Sequence, residues 1–173
     1  LHSLGFIAGS SVSNYSHRFH NEDVYMPLTP MFHVHGWGFP YMATLLGVKQ
    51  IYPSKYEPEK LLKLIKKENV TFSHCVPTIL QMILNTNKKL KFDLSNLKLI
   101  IGGSAMPRNL AIEAKNQGVN VVSAYGMSET CPFLTIAQIP SQNKNTEESE
   151  LIKLKCKTGK PGPLVELLSL IHI

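Results

Sequence analysis

Short apolar runs and amphipathic stretches alternate four times between Val48 and Tyr125, at spacings of about 22 to 27 residues. The runs are Val48–Tyr52, Val70–Cys75, Leu97–Ile101 and the stretch opening at Val119-Asn-Val-Val122. β-Branched and leucine-rich runs of this length suit strands buried on both faces. Between them, Pro58 and Pro77 stand at helix N1 positions and Pro107 opens the third helix, over 108–117. Leu61, Leu64 and Ile65 form a buried stripe on the first, with Lys60, Lys63 and Lys67 facing out. Ile79, Leu80, Ile83 and Leu84 share one side of the second, and Gly118 stops the third. Such spacing predicts βαβ units, hence an α/β fold with a mainly parallel sheet flanked by helices. Upstream, a strand is expected over Asp23–Leu28, ending at Pro27 or Pro30, and an apolar helix over Phe39–Leu46, stopped by Gly47. The Leu1, Leu4, Ile7, Ala8 spacing predicts a helix over Leu1–Ser13.

The chain has 173 residues, 43% hydrophobic and 17% charged. A globular domain of this size buries roughly 70% of its unfolded surface. No apolar run reaches the ~18 residues of a membrane span. Leu1–Asn14 lacks a basic n-region and opens without Met, so it reads as a cut end and not as a signal peptide. Cys75, Cys131 and Cys156 are an odd number with no CxxC, which predicts free thiols in a reducing cytoplasm. The net charge of +6 is localised: Lys49 to Lys98 holds ten lysines against four carboxylates. Such a patch could attract ATP, CoA or an anionic membrane surface. A solvated, lysine-rich helix face is the favoured reading. The lysines lack the aromatic interleaving of a nucleic-acid surface, which argues against nucleic acid.

The right-handed crossover rule puts the carboxyl ends of the parallel strands on one edge, where open α/β sheets bind ligands. Three of those ends carry small or polar residues: Ser73-His74, Gly102-Gly103-Ser104 and Tyr125-Gly126. The last opens Tyr125-Gly-Met-Ser-Glu-Thr130. Tyr125 offers a flat face for a base, and Gly126 a sharp turn or a close approach to a ligand. Ser128 and Thr130 offer hydroxyls for a phosphate, and Glu129 a hard oxygen for Mg²⁺. Ser128-Glu-Thr130 is equally a plausible helix N-terminus. Gly102-Gly-Ser-Ala105 is no nucleophile elbow, because Met106 stands where Gly-x-Ser-x-Gly needs its last glycine. Its glycines fit backbone that passes close to a ligand. His33-Val34-His35 has a spacing that permits a metal pair, yet no third ligand is evident. A loop histidine held by backbone hydrogen bonds explains His33 as well, and core packing explains Trp37. Ser73 or Thr78 is expected to cap backbone amides.

Tyr125-Gly-Met-Ser-Glu-Thr130 resembles the Tyr-Gly-hydrophobic-Thr-Glu-Thr signature of the adenylate-forming enzymes, the acyl-CoA synthetase and luciferase superfamily. Ser128 replaces the first Thr and keeps its hydroxyl. Pro30-Met-Phe-His-Val-His-Gly36 is similar to the family's Pro-hydrophobic-Phe-His motif, and Thr71–Thr78 to the strand before its Pro-Thr helix. Thr158-Gly-Lys-Pro-Gly-Pro163 looks like the Gly-x-Pro turn where strands of a second subdomain begin. Motif for motif, medium- and long-chain fatty acid–CoA ligases are nearest, over Leu1 to about Glu166. The resemblance implies ATP/AMP, Mg²⁺ and CoA as cofactors and co-substrates, and a fatty acid or other small carboxylic acid as substrate. It implies that Tyr125 stacks on adenine, that Gly126, Met127 and Thr130 line the nucleotide, and that Ser128 hydrogen-bonds the α-phosphate. Glu129 would hold Mg²⁺. The backbone of Gly103, Ser104 and Ala105 would lie along the adenine and the acyl head. His33 would sit beside the acyl and pantetheine channels, and Trp37 would gate the acyl tunnel.

The family's phosphate loop should lie upstream of Leu1; its Thr-Gly-Asp and its catalytic lysine should lie downstream. The expectation is therefore an internal piece of an N-terminal domain that does not turn over alone. Residues 1–139 are expected to form a partial AMP-binding subdomain, and 140–173 the connection to a mainly β one. Two rivals are carried: another adenylate-former, such as an aryl or short-chain acid ligase or a luciferase-like oxidase, and a non-catalytic nucleotide-binding or interaction module. Peripheral membrane contact and a homodimer are left open.

Overall fold

The computed structural model describes residues 17–139 and 146–169. The expected helix over Leu1–Ser13 lies outside the described residues, as does the first part of the polar connection. Seven strands form one sheet: β1 (Val24–Tyr25), β2 (Lys49–Gln50), β3 (Phe72–Cys75), β4 (Lys98–Ile101), β5 (Asn120–Gly126), β6 (Phe133–Ile136) and β7 (Lys160–Pro161). Their spatial order is β2-β1-β3-β4-β5-β6-β7. Strands β1 to β5 pair in parallel. Strand β6 returns antiparallel to β5, and β7 antiparallel to β6. Five helices of seven or more residues accompany them among the described residues: α1 (Phe39–Leu45), α2 (Pro58–Glu68), α3 (Pro77–Leu90), α4 (Arg108–Asn116) and α5 (Glu148–Cys156). The alternation read from the sequence is the architecture, from β2 through α2, β3, α3, β4 and α4 to β5.

Alternate residues of each strand point to opposite faces, so the sheet needs two cores. Cys75, Leu99, Ile101 and Val121 pack with Leu61, Leu62, Leu80 and Leu84 under α2 and α3. Phe72, Ile100, Val122 and Ala124 face the other way, onto Phe19, Trp37, Phe39 and Met42. That second core is mostly aromatic, with Phe19 and Phe72 rings 4.6 Å apart and Phe39 and Phe72 5.1 Å apart.

Several elements differ from expectation. The strand expected over Val48–Tyr52 is ladder-paired only at Lys49–Gln50. Val48 gives its N–H back to Ala43, and Pro53 ends the run. The strand expected over Asp23–Leu28 shrinks to Val24–Tyr25, because Pro27 has no N–H to continue it. Neither Ser73 nor Thr78 caps α3, whose N-cap Val76 has no side-chain bond; Ser73 instead donates to the Met26 carbonyl. The glutamate-rich stretch 147–150 starts a helix, α5. Glu148 and Glu150 lie in its first turn, with Lys153 and Lys155 in its last, the order the helix dipole favours. The lysine-rich face is partly paired: Lys49 with Glu68, Lys60 with Glu57, Lys63 with Glu59, and Lys88 with Glu113.

Candidate active site

On the aromatic face, β3, β4 and β5 reach the carboxyl edge as His74, Gly102 and Ala124. Two of these three residues are very small, and the space they leave becomes a cavity of about 280 Å³. Its inner wall is Trp37, 5% exposed. A Cβ on Gly102 would come within 3.0 Å of the Trp37 ring, so this glycine makes room for the indole. The closest approach at Gly102 is thus to Trp37, where the sequence suggested a ligand. Gly103, with φ of 80°, also lines the cavity, next to Val76. Ser104 and Ala105 follow it on the surface and do not line the cavity.

The rim comes from the end of β5 and the loop to β6. Tyr125, Gly126, Met127, Ser128 and Glu129 all line it. Ser128–Thr130 forms a single 3₁₀ turn, short of the helix start that Ser-Glu-Thr also allowed. A Cβ on Gly126 would overlap the Pro132 carbonyl, so its glycine requirement comes from the returning chain and not from a ligand. Thr130 lies outside the cavity and ties the loop: Met127 donates its N–H to Oγ1 at 3.1 Å. Tyr125 is 43% exposed, with its ring free to take a stacking partner. Among the described residues, the Glu129 carboxylate has no ion pair or hydrogen bond, and no group of three metal-ligating side chains occurs. One unengaged carboxylate facing a cavity fits Mg²⁺, which is held by one or two carboxylates with phosphate oxygens and water.

His33 lines the opposite wall, at the start of the turn Val34–Trp37. From Val34 to Gly38 every φ is positive: 45°, 47°, 61°, 60° and 78°. A left-handed turn costs about 1–2 kcal/mol for each residue with a side chain. It is held by the buried indole at its end. His35 leaves the cavity and meets Tyr41 edge-on at 6.1 Å, so His33 and His35 are not brought together as ligands.

Behind Trp37 lies His74, fully buried between the indole at 4.9 Å and Phe39 at 5.0 Å, both rings stacked on it. Tyr25 Oη lies 2.7 Å from Nε2, and Thr29 Oγ1 3.1 Å from Nδ1. Thr29 gives its one proton to the His74 carbonyl at 3.3 Å, so Nδ1–H must donate to Thr29 and Nε2 must accept from Tyr25. Burial pushes the imidazole down to about 3 and the Tyr25 phenol well above its ordinary value. Both are neutral, as this relay requires. Sequence reasoning noted His74 at a strand end but not its place behind Trp37. Phe133 and Ala124, two further lining residues, were also missed. Ala124 was findable, as the small residue at the aromatic-facing position before Tyr125.

The sheet is mainly parallel, with a cleft at its carboxyl edge rimmed by a tyrosine, a serine and an unpaired glutamate, and that edge is where open α/β folds bind ligands. The AMP-binding enzyme family matches residues 3–167, and the chain belongs to that family. It is 38% identical over 171 residues to the long-chain-fatty-acid–CoA ligase of Thermus thermophilus, covering 96% of this chain and 30% of that protein. It is 33% identical to the medium-chain-fatty-acid–CoA ligase of Ectopseudomonas oleovorans, over 84% of this chain and 27% of that one. The chain therefore spans less than a third of the length of these relatives. Among solved structures, the N-terminal domain of FACL13 from Mycobacterium tuberculosis has a TM-score of 0.75 at 22% identity, over 94% of this chain and 38% of that one.

Proposed function

We propose that this chain carries the nucleotide and acyl cleft of an ATP-dependent fatty acid–CoA ligase. The enzyme would join a carboxylic acid to ATP, releasing pyrophosphate, and then pass the acyl group to the CoA thiol with release of AMP. The observation that carries this reading is the convergence of Tyr125, Ser128, Glu129, Gly103, His33 and Trp37 on one cavity, in a chain of the AMP-binding family. The family relationship to long- and medium-chain acid ligases supports the substrate class.

In this reading Tyr125 stacks on adenine and Ser128 donates to the α-phosphate. Gly126 and Met127 give the rim its backbone, and Thr130 fixes that backbone. Gly103, Ser104 and Ala105 lie along the nucleotide, Gly103 from inside the cavity. The acid's chain runs toward Trp37 with its carboxylate near His33. Catalysis is then mostly positioning and charge stabilisation. Mg²⁺, held by Glu129 and phosphate oxygens, would offset charge on the phosphates. The three thiols are free, which supports a reducing, cytoplasmic setting. No described helix is long and apolar enough to cross a membrane. Peripheral membrane contact and a homodimer are tested by vesicle cosedimentation and by mass in solution.

Residues 140–173 are read as the connection to a second, mainly β subdomain. The activity belongs to a polypeptide that also holds what the relatives have beyond this span. Acid-dependent pyrophosphate exchange on that polypeptide, run from short and aromatic acids to long fatty acids, tests the reading. The expected optimum lies among medium and long chains. An optimum at aryl or short acids would favour another adenylate-former, and exchange with no acid would refute the ligase reading.

A further inference from the structure

The cavity ends at Trp37, and its neighbours fix the indole there. One end of the indole abuts Gly102. Its other contacts include Phe133, edge-on at 6.1 Å, and the stacked His74 at 4.9 Å and 28°. The turn that carries Trp37 is left-handed and has no favourable backbone preference of its own. The indole therefore depends on its neighbours for its position. Among them His74 is unusual: a fully buried polar ring in an otherwise apolar core, with both nitrogens engaged. A phenylalanine would fill the same space without needing Tyr25 and Thr29 as partners. An imidazole locked at both nitrogens has one orientation, whereas an apolar ring can tilt and slide.

We propose that His74 is a positioning residue that sets the depth of the cavity. Held by Tyr25 and Thr29, it keeps the Trp37 indole in one plane across the inner end. It thereby limits how long an apolar chain the cavity admits. The acyl part of this inference rests on the functional reading above; the positioning part does not.

Two measurements separate them. Trp37 is the only tryptophan of the 173-residue chain. Its emission and acrylamide quenching thus report its packing with no substrate present. Tyr25→Phe removes one hydroxyl and keeps the ring. It should leave the far-ultraviolet circular dichroism unchanged while red-shifting the emission and raising the quenching. His74→Phe should do the same. Unchanged emission and quenching in a folded Tyr25→Phe chain would overturn the positioning role, whatever the enzyme's substrate. In the longer polypeptide, either variant should lower KM for acids longer than the native optimum, relative to acids at the optimum. The expected change in that ratio is about tenfold, the scale of one to two methylenes in an apolar pocket. A loss spread evenly over all chain lengths would mean that His74 only stabilises the fold, and would overturn the specificity role. If no acid is activated even by the unaltered polypeptide, the functional reading and the specificity role fall together, and the fluorescence result still decides the positioning role.

Discussion

The Thr130 hydroxyl takes the N–H of Met127 at 3.1 Å and lies 2.5 Å from the carbonyl oxygen of Pro132. This side chain thus reinforces the backbone bond from the Met127 N–H to the Pro132 carbonyl, at 3.0 Å, that closes the loop presenting Ser128 and Glu129. Thr130→Val keeps the shape and removes both bonds. The partners keep each other, so the loss is that of an ordinary hydrogen bond, about 0.5–1.5 kcal/mol. Adenylation in the longer polypeptide should fall by up to about tenfold, mainly through a higher KM for ATP, while Thr130→Ser stays near the unaltered rate. Pyrophosphate exchange against ATP concentration reads both.

Gly126 sits where the β5–β6 pairing shifts register, and a Cβ there would meet the backbone of Pro132 and Phe133. Backbone cannot yield as a flexible side chain does. Gly126→Ala should destabilise the chain by about 1–3 kcal/mol, the usual cost of overpacking. The urea midpoint should drop accordingly. A midpoint equal to that of the unaltered chain would show that the loop has room.

Asp23 is buried, and Lys98 reaches it at 2.8 Å across the amino-terminal ends of β1 and β4. Thr71 Oγ1 donates to the same carboxylate at 2.6 Å, and the His20 amide at 2.9 Å. Burial pulls Lys98 below its ordinary value, with Asp23 opposing the shift. Asp23→Ala leaves a partly buried ammonium with only the Arg18 carbonyl, and should cost about 2–3 kcal/mol, less than the loss of a partner by a fully buried charge. Asp23→Ala with Lys98→Met should recover part of that loss. A double-mutant cycle by urea unfolding checks the coupling.

Stability should fall with acid through two histidines. Burial holds His74 at about 3; burial first, then Lys155 and Lys98, holds His17 at about 4. The unfolded chain takes up protons below about 6.5 that the folded chain refuses, so stability rises with pH across this window. Each group contributes up to ~1.4 kcal/mol per pH unit. His17 acts from about 6.5 down to 4, and His74 from about 6.5 down to 3. Urea unfolding at pH 7 and pH 5 should show a loss of about 3–4 kcal/mol, by the same linkage. Equal stability at both values would mean that neither histidine is buried neutral.

Most of the sheet was legible because it rests on local signals. Pro58, Pro77 and Pro107 open helices where expected, and Val121-Val122, Leu99–Ile101 and Phe72 mark strands buried on both faces. The antiparallel returns were not legible. Strand β6 is four residues after a loop, and β7 is two residues that include a proline, so neither has a period to read. At the site, the Tyr125–Thr130 stretch announced itself through residue chemistry, and it does rim the cavity. The wall behind it did not. That Gly102 is there for Trp37, that Gly126 is there for Pro132, and that His74 lies under the indole are all contacts between residues distant in sequence. No single segment encodes them.

The most direct test of the central claim is the pyrophosphate-exchange rate of Glu129→Ala in the longer polypeptide, with fatty acid, ATP and Mg²⁺. Loss of a group that stabilises charge in the transition state costs about 10²–10³-fold. A fall of about a hundredfold or more is the result expected if this cavity is where the acid meets ATP. A rate within about threefold of the unaltered enzyme, under 1 kcal/mol in barrier, would contradict it.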